Sequence, residues 1–82
     1  MVKVKFFAAL RERLNCAELT LDCGPNETLA TLRARLVDLH PSWQTELHDK
    51  DVLCAKNFSF CGWQDRVSAG DELAFFPPVT GG

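Results

Sequence analysis

Four leucines do most to restrict what this chain can become. Leu29, Leu32, Leu36 and Leu39 are spaced three, four and three residues apart, which draws one apolar stripe down an α-helix. Burying such a stripe is worth ~1.5–3 kcal/mol per leucine, so this helix is expected to be the main cover of the core. Asn26 or Thr28 can cap its first turn, and His40-Pro41 marks its end. A leucine stripe can also be a coiled-coil seam, but about three turns is too short for that. The helix therefore needs another layer within the same chain to pack against.

The flanking segments supply strands for that layer. Val2-Lys-Val-Lys-Phe-Phe7 alternates, with Val2, Val4 and Phe6 on one face and Lys3, Lys5 and Phe7 on the other. Ala8 to Leu14 reads as a short helix with Leu10 and Leu14 on one side, ended by Asn15. Glu18 to Asp22 alternates again with Leu19 and Leu21 inward, and Gly24-Pro25-Asn26 is a turn. Beyond the long helix, Ser42 to Leu47 suits one more helical turn and His48 to Asp51 a polar loop. Val52 to Lys56 is read as a strand, Asn57 as a turn residue and Phe58 to Phe60 as a shorter strand. Ser68 to Asp71 is a second turn before the last strand, Glu72 to Phe76. The order β-α-β-α-turn-β-β-β makes an α+β fold, a mixed sheet with one long covering helix.

Composition narrows the function. Eighty-two residues make one domain, and 46% hydrophobic content is ordinary for a globular chain. Nine Lys+Arg against eleven Asp+Glu leave a net charge of −2, which gives no electrostatic grip on nucleic acid or acidic lipid. No apolar run approaches the ~18–20 residues that span a bilayer. The lysines and apolar residues of the first ten positions faintly imitate a signal peptide, but Arg11, Glu12 and Arg13 interrupt them at once. A cytoplasmic protein is expected. Cys16, Cys23, Cys54 and Cys61 are about 5% of the chain, below the ~8–10% of secreted disulfide scaffolds, and reduced thiols are expected. Their spacing lacks both the C-x₄-C-x₂-C of plant-type ferredoxins and the CxxC of zinc sites, so no metal is expected. His40 and His48 read as solvated surface groups. Trp43 reads as a lid over the helix end, and Trp63 has no assignment beyond a turn.

The tail carries the chemistry. Pro77-Pro78 cannot continue a strand, and consecutive prolines favour an extended conformation that projects the last four residues outward. The expected division is a domain over residues 1–76 and a flexible tail over 77–82. Six residues at ~3.3 Å each reach up to ~20 Å, and the side-chain-free Gly81 and Gly82 can thread a narrow channel. Most chain ends are simply frayed, but prolines directly after a core strand, with two glycines at the end, argue for a function. The reactive group on offer is the α-carboxylate of Gly82, ionised at neutral pH and not an electrophile until activated, for instance as an acyl-adenylate. The chain has no Gly-rich phosphate loop, so a partner must do the activation.

A second signal lies on the sheet. Phe7 shares the parity of Lys3 and Lys5, away from the core. If Leu73 points inward, Phe76 points outward beside Phe7, with Phe60 a possible third member. Aromatics gathered on an exposed face mark a partner surface. The competing reading folds a Phe over the sheet edge or under the first helix.

Phe75-Phe-Pro-Pro-Val-Thr-Gly-Gly82, preceded by Gly70-Asp71-Glu72, resembles the C-terminal signature of the small-subunit family of molybdopterin synthase. Val4-Lys-Phe-Phe-Ala8 with Arg11 matches the start of that family, and Asn57 falls where it carries a turn asparagine. The resemblance implies a ubiquitin-like β-grasp fold and a sulfur carrier that is not itself an enzyme. It implies that Gly82, preceded by Gly81, is adenylated by an E1-like partner using ATP and converted to a thiocarboxylate. The tail, including Pro77, Pro78, Val79 and Thr80, then enters the large synthase subunit in a complex of two small and two large subunits. Its sulfur passes to cyclic pyranopterin monophosphate to form the molybdopterin dithiolene. Phe7, Arg11, Phe60 and Phe76 are implied partner contacts. From the residues alone, Arg11 is simply part of a solvated helix face. Three other readings stand beside this one: a sulfur carrier for thiamine thiazole synthesis, a ubiquitin-like modifier attached through Gly82, and an interaction domain with an inert tail.

Overall fold

The computed structural model describes residues 1–78. Five strands form one mixed sheet: β1 (Val2–Phe6), β2 (Glu18–Leu21), β3 (Leu53–Lys56), β4 (Ser59–Phe60) and β5 (Glu72–Phe76). Two α-helices accompany them, α1 (Ala8–Leu14) and α2 (Leu29–Leu39). The strand order is β2-β1-β5-β3-β4, with β1 and β5 parallel at the centre and every other neighbour antiparallel. Together with α2 laid over one face, this is the ubiquitin-like β-grasp, the mixed α+β fold that the resemblance implies.

Alternation along the strands decides which face is covered. Val2, Val4 and Phe6 of β1 and Leu73 and Phe75 of β5 point inward and are buried. Leu29, Leu32 and Leu36 of α2 meet them and are fully excluded from solvent. Four aromatic rings cross this core in sequence. Trp43 meets Phe6 edge-on at 5.5 Å, Phe6 meets Phe75 at 6.0 Å, and Phe75 meets Trp63 at 5.4 Å. Such offset and edge-on arrangements suit the ring quadrupole.

Local chemistry sets the ends of α2. Thr28, not Asn26, is the cap: its hydroxyl accepts from Thr31 N at 3.2 Å, while Thr31 Oγ1 accepts from Thr28 N at 2.9 Å. This reciprocal pair satisfies two otherwise orphaned donors, with threonine in the place usually taken by Glu or Gln. Asn26 instead has φ 60° and accepts from the Arg66 guanidinium at 2.7 Å.

The structure corrects several boundaries. Leu39 does not complete the stripe and is 59% exposed, because the helix runs past the core edge before ending at His40. Trp43 and Leu47 bury themselves there instead. They are delivered by a 3₁₀ turn over Pro41–Trp43 and a single π-helical turn over Thr45–Asp49, which together replace the expected helical turn and reach into the expected polar loop. His40 is exposed and stacks on the Trp43 ring at 4.0 Å.

Phe58 is not part of β4. Asn57 and Phe58 have φ 51° and 69° and connect the paired residues Lys56 and Ser59. That is a two-residue hairpin of type I′, whose twist matches the flanking strands. Trp63 acquires a definite role. Its carbonyl accepts from Ala30 N at 2.8 Å, and the Arg33 guanidinium lies 4.0 Å over its ring. It ties the loop after β4 to the start of α2.

Candidate functional site

The sheet face opposite α2 divides into two ends. Towards the start of β1, Lys3 pairs with Glu18 at 3.9 Å and Lys5 with Glu72 at 3.6 Å. Solvated ion pairs of this kind contribute about 0–1 kcal/mol and keep that end wet. Towards the end of β5 the residues change character. Leu53 lies directly across from Phe76, Ala55 from Ala74, and Ala55 from Phe60 on the other side. Residues facing each other across antiparallel strands share a face, so these five side chains form one apolar area.

Phe7 extends this area across the sheet. It lies just past β1 with extended dihedrals, and its N–H donates to Phe75 O at 3.1 Å, continuing the parallel pairing by one residue. Its parity is that of Lys3 and Lys5, as expected, and its ring is exposed. Directly afterwards the chain turns: Ala8 has φ 55°, and Arg11 N donates to Phe7 O at 3.4 Å in the first turn of α1. Arg11 is therefore exposed one helical turn from Phe7.

Phe76 is half-buried and Phe60 is 80% exposed, their rings meeting edge-on at 5.8 Å. The parity argument for Phe60, open from sequence, is settled by that contact. Two further large apolar residues, not included in the sequence reading, are exposed. Leu53 is exposed, and its signal was available, since it alternates with the buried Val52 and Cys54. Phe58 is 89% exposed at the hairpin tip, a position hidden from sequence because it depends on the turn type. Exposed apolar areas rimmed by charge mark interaction sites in general. Among the described residues no cluster of three or more His, Cys, Asp or Glu side chains is placed to hold a metal.

A hydrogen-bonded corner holds the hairpin against the root of β5. Asn57 Nδ2 donates to Asp71 Oδ1 at 3.0 Å, Asn57 Oδ1 accepts from Glu72 N at 3.0 Å, and Asn57 N donates to Glu72 O at 2.8 Å. Asp71 Oδ2 also accepts from Ser68 N at 2.8 Å. These donors, Ser68 N–H first and Asn57 second, hold the Asp71 carboxyl below its ordinary value. Asn57 thereby fixes where the tip of the hairpin sits relative to the last strand.

Pro77 and Pro78 come directly after Phe76 and are half-buried, without regular structure. Val79, Thr80, Gly81 and Gly82 lie outside the described residues.

Comparison with known proteins places this geometry. The model of the ThiS family matches residues 4–82. The molybdopterin synthase sulfur carrier subunit of Escherichia coli strain K12 is 37% identical over 82 residues, covering 100% of both chains. The crystal structure of SAMP1, a protein of Haloferax volcanii, superposes with a TM-score of 0.82 at 30% identity, covering 99% of this chain and 98% of that one. A chain in the complex of subunits 1 and 2 of the molybdopterin-converting factor of Helicobacter pylori 26695 superposes with a TM-score of 0.67 at 26% identity, covering 99% and 97%.

Proposed function

From the fact that the chain belongs to the ThiS family, we propose that it is the sulfur carrier subunit of molybdopterin synthase, with no catalytic machinery of its own. One observation supports this most directly. Strand β5 sets Phe76 on the apolar end of the open face, and the next residues are Pro77 and Pro78. A partner docked on that face therefore meets the root of the segment that carries Gly81 and Gly82.

In this reading the chemistry is done to the chain. The Gly82 carboxylate attacks the α-phosphorus of ATP on an E1-like partner, and pyrophosphate leaves. A sulfur donor then displaces AMP, leaving a thiocarboxylate. The large synthase subunit receives the tail, with Pro77, Pro78, Val79 and Thr80 positioning the terminus. The thiocarboxylate sulfur bonds to a side-chain carbon of cyclic pyranopterin monophosphate as the carbon–oxygen bond there breaks and the oxygen leaves, and water cleaves the acyl–sulfur bond to return Gly82 to a carboxylate. Positioning of the reacting atom is what the carrier contributes, an effect that reaches ~7–11 kcal/mol when alignment is complete. Phe7, Arg11, Phe60 and Phe76, with Leu53, form the docking surface in a cytoplasmic assembly of two small and two large subunits. ATP is bound by the activating partner and not by this chain.

Intact mass after incubation with ATP, a sulfur donor and the E1-like enzyme tests the reading. The expected gain is the exchange of one oxygen for one sulfur, absent when Gly82 is deleted or one residue is appended after it. An appended variant that still transferred sulfur would overturn it. The likeness to the small archaeal modifier protein 1 (SAMP1) of Haloferax volcanii favours a second reading, conjugation of Gly82 to target lysines. That reading expects higher-mass conjugates in a denaturing gel. A carrier for thiamine thiazole synthesis would instead co-purify with a thiazole synthase.

A further inference from the structure

The four cysteines are not equivalent. Cys16 donates to Glu18 O at 3.5 Å and Cys23 to Val67 O at 3.3 Å, so each is satisfied by a backbone carbonyl. Cys54 and Cys61 face each other. The pairing of Ala55 with Phe60 puts them opposite one another one step further along, and Cys61 N donates to Cys54 O at 3.2 Å. Directly opposed residues of this type have Cα atoms about 5.5 Å apart, inside the ~4.4–6.8 Å range that a disulfide spans. Their sulfurs already lie 3.5 Å apart.

We propose that Cys54 and Cys61 are a redox-active dithiol that closes to a cross-strand disulfide on reaction with a hydroperoxide. This goes beyond the carrier function and does not rest on it. The sulfur separation has to shrink from 3.5 Å to about 2.05 Å, a movement that side-chain rotation in a hairpin of two-residue edge strand β4 can supply.

The two thiols have different parts. Cys54 is buried, and its S–H donates to Cys61 O at 3.4 Å. Burial, reinforced by the sulfur contact with Cys61, pushes its pKa up to about 12, so it stays protonated near neutral pH. Cys61 is half-buried and reached from solvent. Cys61 gives up its proton, its thiolate attacks the peroxide oxygen that bears hydrogen, the O–O bond breaks, and a sulfenic acid forms while the leaving hydroxide or alkoxide takes up that proton. Cys54 sulfur then attacks the Cys61 sulfur, the S–O bond breaks, and the Cys54 proton leaves with the hydroxyl group as water. Overall two thiols lose two electrons and two protons, and one hydroperoxide takes up both, giving water and the corresponding alcohol or a second water. The product pins β4, which carries Phe60, to β3.

The full-length chain treated with one equivalent of hydrogen peroxide should become lighter by two hydrogen atoms and recover its mass in dithiothreitol. Lys56 lies between the two cysteines. Trypsin should therefore leave peptides 51–56 and 57–66 joined in the oxidised chain and separate after reduction. Cys61→Ser, at a half-buried position, should show neither change, and Cys54→Ala should accumulate oxygen adducts at Cys61 in place of the bridge. Oxygen adducts on Cys61 in the unmodified sequence, with Cys54 still free to alkylate, would overturn the proposal. So would a bridge that joins Cys16 or Cys23, or a two-hydrogen loss that persists in Cys61→Ser.

Discussion

The ring of Phe60 meets that of Phe76 edge-on, with centroids 5.8 Å apart, on the face of the sheet that none of the described helices covers. One residue before Phe76, the Phe75 ring points the other way and is fully buried between Phe6 and Trp63. Neighbouring residues of β5 thus serve two different layers. Phe75 holds the domain together, and Phe76 shapes the open face proposed as the docking surface.

That division predicts how alanine substitutions separate. Phe7→Ala and Phe60→Ala remove exposed rings and should leave stability within about 0.5 kcal/mol of the parent. Each should weaken binding of the large synthase subunit by roughly 5–30-fold, the range of about 1–2 kcal/mol typical of anchors at an interface. Phe76→Ala should do the same with a somewhat larger stability loss, because that ring is half-buried. Melting temperature and titration of the complex, measured on the same variants, read both effects. Unchanged affinity in all three would remove the open face from the docking surface.

Leu36 and Leu39, both leucines of one apparent stripe, should behave differently. Leu36→Ala creates a cavity in a closed core and should cost ~2–5 kcal/mol. For a domain of 82 residues with a total stability of about 4–12 kcal/mol, that is enough to threaten folding. Leu39 is exposed, and Leu39→Ala should stay within about 0.5 kcal/mol. Urea midpoints of the two variants check the difference.

Phe58 occupies a backbone conformation that suits glycine. At φ 69° an aromatic residue is strained by about 1–3 kcal/mol, and its exposed ring recovers little of that. Phe58→Gly creates the Asn-Gly pair favoured in type I′ hairpins and should stabilise the domain by ~0.5–1 kcal/mol, after the added freedom of glycine in the unfolded chain is subtracted. Thermal unfolding is the check. A lower melting temperature would show that the ring packs usefully at the tip.

Acid should weaken the fold through two carboxylates. Ser68 N–H and Asn57 hold Asp71 below its ordinary 3.8. The Thr31 hydroxyl, then Arg35, holds Glu27 below 4.5. Both groups bind protons more readily when unfolded, so their contribution is complete above those ordinary values and is lost as pH falls through the lower folded ones. Urea midpoints should therefore be flat near neutrality and decline below about pH 4. Asp71→Asn should lower stability near neutrality and make the acid decline shallower. An equally steep decline in that variant would mean that Asp71 is not a contributor.

Much of this was readable from residue order, because period two and period 3.6 report burial directly. The strands at Val2, Glu18 and Glu72, the helix from Leu29 and the outward parity of Phe7 and Phe76 are all products of those periods. What failed depended on information that periodicity does not carry. Leu39 keeps the helical spacing, yet the core ends before it. The segment after Pro41 splits into 3₁₀ and π turns because Trp43 and Leu47 must both reach the same apolar space. Phe58 looks like a strand residue until the hairpin assigns it to the turn. Trp63 has no local pattern, since its place is set by Arg33 and Phe75 from other elements. The opposition of Cys54 and Cys61 likewise appears only once the register of β3 and β4 is known.

The parallel pairing of β1 with β5 has a consequence for synthesis. Strand β1 finds its central partner only when residues 72–76 have emerged, and β3 has no link to β1 until then. Contacts between such distant positions slow folding and leave strand edges open in the meantime. A nascent chain halted before Glu72 therefore lacks the strand that joins its two halves, and its sheet stays incomplete.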